Sequence, residues 1–214
     1  MRGLWRALAS LPAAARWGIL SVGGLLVVLL IGAGGWAFLQ QRETAARRAF
    51  ASVTTTYRQA MASSHEASLG GAADALSQFL SAYPRSGAVA QAWYLLGNVH
   101  YQRRGLDAAL AAFGEASRRD SGSVGALSRL GSGYVWEAKG EPSRALEEYK
   151  GALTGRDAKD FLYGDLLLAA ARVQEELKQP AAAIESYKRF LKDVPSSTRA
   201  DEVRIRLAIL GARA

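Results

Sequence analysis

The chain has 214 residues, half of them apolar, which is enough for one sizeable domain and an appendage. It contains no Cys, which excludes a disulfide framework, a thiolate metal site and a lipidated Cys. The formal charge is +8, but Arg2, Arg6 and Arg16 supply three of those charges before the first acidic residue. After them the two signs are mixed, as on a solvated surface, and no basic stripe with interleaved aromatics points to nucleic acid.

Residues 1–16 form a short, basic, acid-free head, and residues 17–39 are a run of 23 without a charge. As a helix that run would span roughly 34 Å, enough for a hydrocarbon core of about 30 Å. Trp17 and Trp36 stand near its ends, where amphipathic rings favour the headgroup layer. The expectation is a single-pass transmembrane helix over 17–39. A cleaved signal peptide is the rival, with Ala33, Gly34 and Gly35 as its small-residue site. The apolar run continues past them to Leu39, which favours an uncleaved anchor. Arg2, Arg6 and Arg16 before the span nearly balance Arg42, Arg47, Arg48 and Arg58 after it. A basic head, an apolar run and a long following domain make a signal-anchor layout, which puts the domain outside the cytoplasm. The opposite orientation stays open.

From residue 40 to about 64, Ala46, Phe50, Val53, Tyr57 and Met61 fall on one helical face. No Pro or Gly separates this stretch from the span, and Leu69, Gly70 and Gly71 are expected to break it. Helices are then predicted at about 72–83, 87–103, 106–119, 124–138, 142–154, 159–178, 180–193 and 198–210. Pro142 and Pro180 stand at helix starts, where a missing N–H is tolerated. Strand signals are nearly absent.

A spacing recurs within these helices. With Ala90 as position 1, Trp93, Leu96, Gly97 and His100 take positions 4, 7, 8 and 11, and Ala109, Phe113 and Ala116 take 20, 24 and 27. From Val124, Leu130, Gly131 and Tyr134 take 7, 8 and 11. Ala145, Tyr149 and Ala152 then take 20, 24 and 27 if two residues are inserted at the turn Lys139-Gly140-Glu141-Pro142. From Gly164, Leu167, Ala170 and Ala171 take 4, 7 and 8, with Ala183, Tyr187, Phe190 and Pro195 at 20, 24, 27 and 32. Upstream, Ala72, Leu76, Phe79 and Pro84 match the last four positions. Large residues at this spacing fill the gap between two helices, and small ones mark a close approach. The series resembles the 34-residue tetratricopeptide repeat, a family of helix hairpins that bind other proteins. The resemblance implies an all-α fold: the transmembrane helix, a helix leaving the membrane at 40–66, and a repeat domain at 67–214. That domain would be an α-solenoid of about four hairpins, at about 53–86, 90–123, 124–159 and 164–197, closed by a cap at 198–211.

No chemistry-bearing constellation accompanies the repeats. His65 and His100 lack the i, i+4 spacing of a zinc helix, and there is neither a Gly-x-Ser-x-Gly elbow nor a phosphate loop. No catalytic residue, metal ligand or cofactor is expected. In the family, positions 2, 5, 9, 12 and 13 line a concave groove. Carried over, they give Tyr94, Asn98, Tyr101 and Gln102 in one repeat, Ser128, Ser132 and Trp136 in the next, and Arg172 and Glu175 in the last. Tyr94, Tyr101 and Trp136 are the expected anchors, forming one aromatic surface. The layout, with the phrases at 171–174, 177–179 and 181–184, resembles the bacterial family of ancillary Sec translocon subunits with a periplasmic repeat domain. It implies an inner-membrane scaffold, held in the lipid bilayer by residues 17–39, whose protein partners are the translocon or periplasmic chaperones. The alternative is a cytoplasm-facing or signal-cleaved adaptor of another envelope machine, with an unrecognised enzyme as a distant third.

Overall fold

The computed structural model describes residues 13–212, with side chains at residue 24 and from residue 28 on. Helices are the only regular elements among the described residues: α1 Ala13–Ser63, α2 Glu66–Ala82, α3 Val89–Gln102, α4 Leu106–Arg119, α5 Ser123–Ala138, α6 Pro142–Leu153, α7 Tyr163–Glu176, α8 Pro180–Asp193 and α9 Ala200–Ile209. Most of the predicted basic head, residues 1–12, lies outside the described residues. Contacts divide the chain into two units, one ending at Ala46 and one beginning at Arg47.

In the first unit, Val28, Leu29, Leu30, Ile31, Trp36, Phe38 and Leu39 are each between 58% and 71% exposed. The Arg42 guanidinium lies 5.7 Å from the centre of the Phe38 ring. Among the described residues no helix is long and apolar enough to cross a membrane. The side chains of 17–23 and 25–27, a large part of the expected span, lie outside those described.

The second unit is a run of helix hairpins: the end of α1 with α2, then α3 with α4, α5 with α6, and α7 with α8, followed by α9. Three of the hairpin turns share one geometry. Arg104, Gly140 and Lys178 all adopt positive φ, at 62°, 73° and 56°. The next N–H, from Gly105, Glu141 or Gln179, donates over 2.9 Å to a carbonyl five residues back, on His100, Trp136 or Gln174. This is a left-handed helix end, which satisfies carbonyls that the last turn leaves free. Only Gly140 adopts that φ without a Cβ penalty.

These equivalent turns fix the register of the repeats. They place Arg104, Gly140 and Lys178 at position 15, so the middle repeat starts at Ala126 rather than Val124. The two inserted residues expected at Lys139–Pro142 are not there. The extra length lies between repeats, in an early start of α5, which takes in Val124 and Gly125 ahead of position 1, and in the loop between α6 and α7. That loop is why α7 starts at Tyr163 and not at 159. Arg156 ties it down, pairing with Asp160 and donating over 2.7 Å to the Gly122 carbonyl just before α5. Asp160 in turn accepts the Leu162 N–H.

The new register brings like residues together. Val99, Val135 and Val173 share position 10 and are fully buried, as are Ala109, Ala145 and Ala183 at position 20. Position 24 carries an aromatic ring, and position 8 opposite it is small. A Cβ on Gly97 would stand 2.5 Å from the Phe113 ring, and one on Gly133 would overlap the edge of the Tyr149 ring. Phe113 also lies against Gly131 of the next inner helix, so it wedges between two repeats. The core is accordingly serial, with one cluster around Phe113 and Val135, one around Tyr149 and Leu166, and one around Tyr187, Phe190 and Leu207. Each large side chain buried this way contributes roughly 1.5–3 kcal/mol.

The first hairpin departs from expectation in one respect. Gly70 and Gly71 do not break the chain; they lie inside α2, and the break is at Ser64, with φ 53°. Leu69, Ala72 and Ala73 are buried on that turn, which holds it helical through two poor helix formers. The two kinds of glycine can be told apart by substitution. Gly133→Ala is expected to destabilise by about 1–3 kcal/mol through overpacking against Tyr149. Gly71→Ala meets nothing within 4 Å and is expected to stabilise by about 0.5–1 kcal/mol through helix propensity. Urea denaturation of the two variants checks the pair of signs.

Candidate functional site

Side chains at positions 2, 9 and 12 of the inner helices meet side chains of neighbouring helices between α1 and α3, between α5 and α7 and between α7 and α9, and with position 5 they mark one stripe. Asn98 on α3 donates to the Tyr57 hydroxyl of α1 over 3.4 Å. Arg172 on α7 grips Glu137 of α5 through two bonds, of 2.6 and 3.0 Å. Arg199, just before α9, lies 3.4 Å from Asp165 of α7, and Arg206 on α9 lies 3.8 Å from Glu175.

Tyr94, Asn98 and Tyr101 lie on this stripe, partly buried, and Gln102 lies at its edge, exposed. Tyr94 is stacked obliquely on Phe113, with ring centres 6.0 Å apart, and Tyr101 packs on the same cluster. Arg172 and Glu175 lie on it, each in an ion pair. The middle repeat differs. Ser128 and Ser132 are 0% and 6% exposed, and the Ser128 hydroxyl donates to the Val124 carbonyl of its own helix. Trp136 takes position 11, a packing position, and rests on the Tyr149 cluster. Its ring is capped by the Arg144 guanidinium at 4.5 Å and the Lys139 ammonium at 5.5 Å. The two-residue shift of register accounts for all three: positions 9 and 12 are Tyr134 and Glu137. Tyr134 is 39% exposed and meets the Tyr149 ring edge-on at 5.9 Å. Trp136, expected on one surface with Tyr94 and Tyr101, thus packs against the core, and Tyr134 takes the equivalent position on the stripe. The recurring triplets Gly97-Asn98-Val99, Gly133-Tyr134-Val135 and Ala171-Arg172-Val173 carry the signal that would have placed it.

The stripe changes character along its length. Toward the N-terminus it is aromatic and amide: Tyr57, Tyr94, Asn98 and Tyr101. Toward the C-terminus it is ionic, because position 12 becomes Glu137 and Glu175. In each of those repeats the position-24 phenol reaches up from the core and donates to that carboxylate, Tyr149 to Glu137 and Tyr187 to Glu175. Burial, and then the carboxylate itself, push both phenols well above the usual tyrosine range, so they stay protonated donors. Burial beside Arg103 lowers His100, which favours the neutral imidazole expected of a packed residue. Among the described residues no group of three or more His, Cys, Asp or Glu could hold a metal. No buried side-chain nitrogen or oxygen among them lacks a hydrogen-bond partner.

Family models described as tetratricopeptide repeat match residues 61–113, 94–161 and 165–197. No curated protein matches the chain. Among solved structures, the chain is similar to a tetratricopeptide repeat protein from Parabacteroides merdae, with 18% identity and a TM-score of 0.57 over 73% of this chain and 59% of that one. It thus spans about three-fifths of that protein's length. It is also similar to MamA, with 19% identity and a TM-score of 0.54 over 69% of this chain and 82% of MamA. YrrB, a TPR protein with an unusual peptide-binding site, aligns at 21% identity with a TM-score of 0.48 over 64% of this chain and 74% of that one.

The corrected register predicts unequal costs for two neighbouring aromatics. Trp136→Ala should destabilise by roughly 2–4 kcal/mol as a core truncation. Tyr134→Ala should cost less than about 1 kcal/mol, as a change on a partly exposed face. Urea midpoints of the two variants check the order, which reverses if Trp136 is the groove residue.

Proposed function

The chain belongs to the tetratricopeptide-repeat family, and we propose that it is a membrane-anchored scaffold that binds an extended segment of a partner protein along the inner stripe of its repeats. The observation that carries this reading is the row Tyr94, Tyr101 and Tyr134. These rings keep part of their surface open on the inner helices α3 and α5, while the rings at position 24, Phe113, Tyr149 and Tyr187, are packed in the core. Aromatic side chains offer large contact area at low entropic cost, and they are enriched among residues that dominate binding energy. Asn98 and Gln102 add amide donors and acceptors suited to a partner backbone.

The anchor is part of the proposal. The uncharged run at 17–39 and the exposed Val28, Leu29, Leu30, Ile31, Phe38 and Leu39 support it. A row of large apolar side chains so exposed to water is costly, and lipid relieves that cost. The acid-free head supports an insertion that leaves the repeat domain in the periplasm of a bacterial inner membrane. The layout shared with ancillary Sec translocon subunits supports a role in envelope protein export or assembly, with translocon or chaperone partners. An adaptor facing the cytoplasm is the second reading, favoured by the Arg residues on the far side of the span.

Protease added to intact spheroplasts separates the two orientations. The periplasmic reading expects the repeat domain to be digested from outside; protection until the membrane is opened would assign it to the cytoplasm. For the groove, a Tyr101→Ala, Tyr134→Ala variant is expected to lose at least about 2 kcal/mol of partner binding, roughly thirtyfold in affinity, with little change in melting temperature. Unchanged capture from membranes would reject the stripe as the binding face.

A further inference from the structure

The C-terminal end of the stripe has a recognition chemistry of its own. A pocket of about 50 Å³, the size of one small side chain, lies between α7, α8 and α9. Its floor is apolar, made by Leu168, Val203 and the Tyr187 ring, all buried. Its rim holds three guanidiniums, Arg172, Arg199 and Arg206, against the single carboxylate of Glu202. Among the lining side chains the guanidiniums outnumber the carboxylates by two, and each guanidinium also has a carboxylate of the stripe within 4 Å, Glu137, Asp165 or Glu175.

The three arginines are not equally engaged. Arg172 is held in a two-bond grip by Glu137. Arg199 reaches Asp165 and Glu202 only at 3.4 Å. Arg206 approaches Glu175 at 3.8 Å, too long for a hydrogen bond. Charge-assisted bonds ordinarily close to about 2.7–2.9 Å, and a guanidinium has five N–H donors. Arg199 and Arg206, with side chains 47% and 45% exposed, therefore keep donors free for a ligand. Their carboxylate neighbours do not compete for that role equally, because Glu175 is already held over 2.6 Å by the Tyr187 phenol.

We propose that this pocket takes an acidic side chain from the partner's extended segment, its carboxylate on Arg199 and Arg206 and its methylenes on Leu168, Val203 and Tyr187. The inference rests on the groove as the binding face and specifies the charge of the residue that fills its end. The pairing is solvent-accessible, so it acts through specificity and association rate and weakens with salt.

The test uses the full chain in detergent micelles and rhodamine-labelled octapeptides of alternating Leu and Glu, Leu and Gln, or Leu and Lys, all C-terminally amidated, plus the Leu–Gln peptide as its free acid. Fluorescence anisotropy gives each affinity. The Leu–Glu amide is expected to bind at least about tenfold tighter than the Leu–Gln amide and to lose that margin in high salt. An Arg199→Gln, Arg206→Gln variant should bind Leu–Glu no better than Leu–Gln while keeping wild-type affinity for Leu–Gln, which shows that the groove is still folded. A Lys188→Gln, Lys192→Gln variant, altered on the exposed face of α8, should bind Leu–Glu as wild type does. The inference falls if Leu–Glu does not bind, if Leu–Lys binds as tightly, or if both double variants lose equally. It falls also if the free-acid Leu–Gln matches Leu–Glu, since a chain terminus would then be the ligand. If the Leu–Glu and Leu–Gln amides bind alike and both weaken on Tyr134→Ala, the groove stands and only its acidic end is lost.

Discussion

The fold depends on one steric exchange, repeated along the array. An aromatic ring at position 24 of the outer helices α4, α6 and α8 occupies the space where a side chain would stand at position 8 of the inner helix. Phe113 fits over Gly97 and Tyr149 over Gly133; in the last repeat Tyr187 stands opposite Ala171, both buried. The ring sets how near the two helices come and which residue of the inner helix faces inward. Interiors are packed too densely to accommodate a second choice. Because each ring touches only its own hairpin and the next one, the core is a series of clusters, and each repeat depends on its neighbours for stability.

The same exchange positions the site. Once position 8 is fixed under the ring, positions 9 and 12 turn to the opposite face. The phenols of Tyr149 and Tyr187 extend beyond the core far enough to donate to Glu137 and Glu175. Each carboxylate is then offered to an arginine of the following helix, Arg172 or Arg206. Where the ring is Phe113, no hydroxyl reaches the stripe, and position 12 is Tyr101 instead of a carboxylate. The passage from an aromatic to an ionic stripe thus follows from the presence or absence of one phenolic oxygen in the core. Most of these ion pairs are exposed and worth at most about 1 kcal/mol to the fold, so their arrangement can vary with the ligand without cost to the scaffold.

Much of the architecture was legible in the sequence. The Pro142 and Pro180 starts, the position-20 alanines and the position-24 rings marked α4, α6 and α8 and gave the repeat family. The register of the middle repeat was not legible from Leu130-Gly131, because Gly131 and Gly133 both look like a position-8 glycine and only contact with Phe113 or Tyr149 tells them apart. That ambiguity put Ser128, Ser132 and Trp136 on the stripe and hid Tyr134. Ser64 was also missed as a break, since its positive φ carries no sequence mark, while Gly70 and Gly71, which do, are carried through by the buried Leu69, Ala72 and Ala73. Only the last part of the loop between α6 and α7, residues 159–162, was read as helix, because Asp160, which helps hold it, is an ordinary helix-surface residue until its partners are known.

The absence of Cys allows the register to be measured directly. In single-cysteine variants of the native chain, Ser132→Cys, a nearly isosteric change under the packed face, should react with a maleimide at least about tenfold more slowly than Tyr134→Cys, and should reach the same rate once the chain is unfolded. A native Ser132→Cys that reacts as fast as Tyr134→Cys, or faster, would contradict the register and with it the assignment of the stripe.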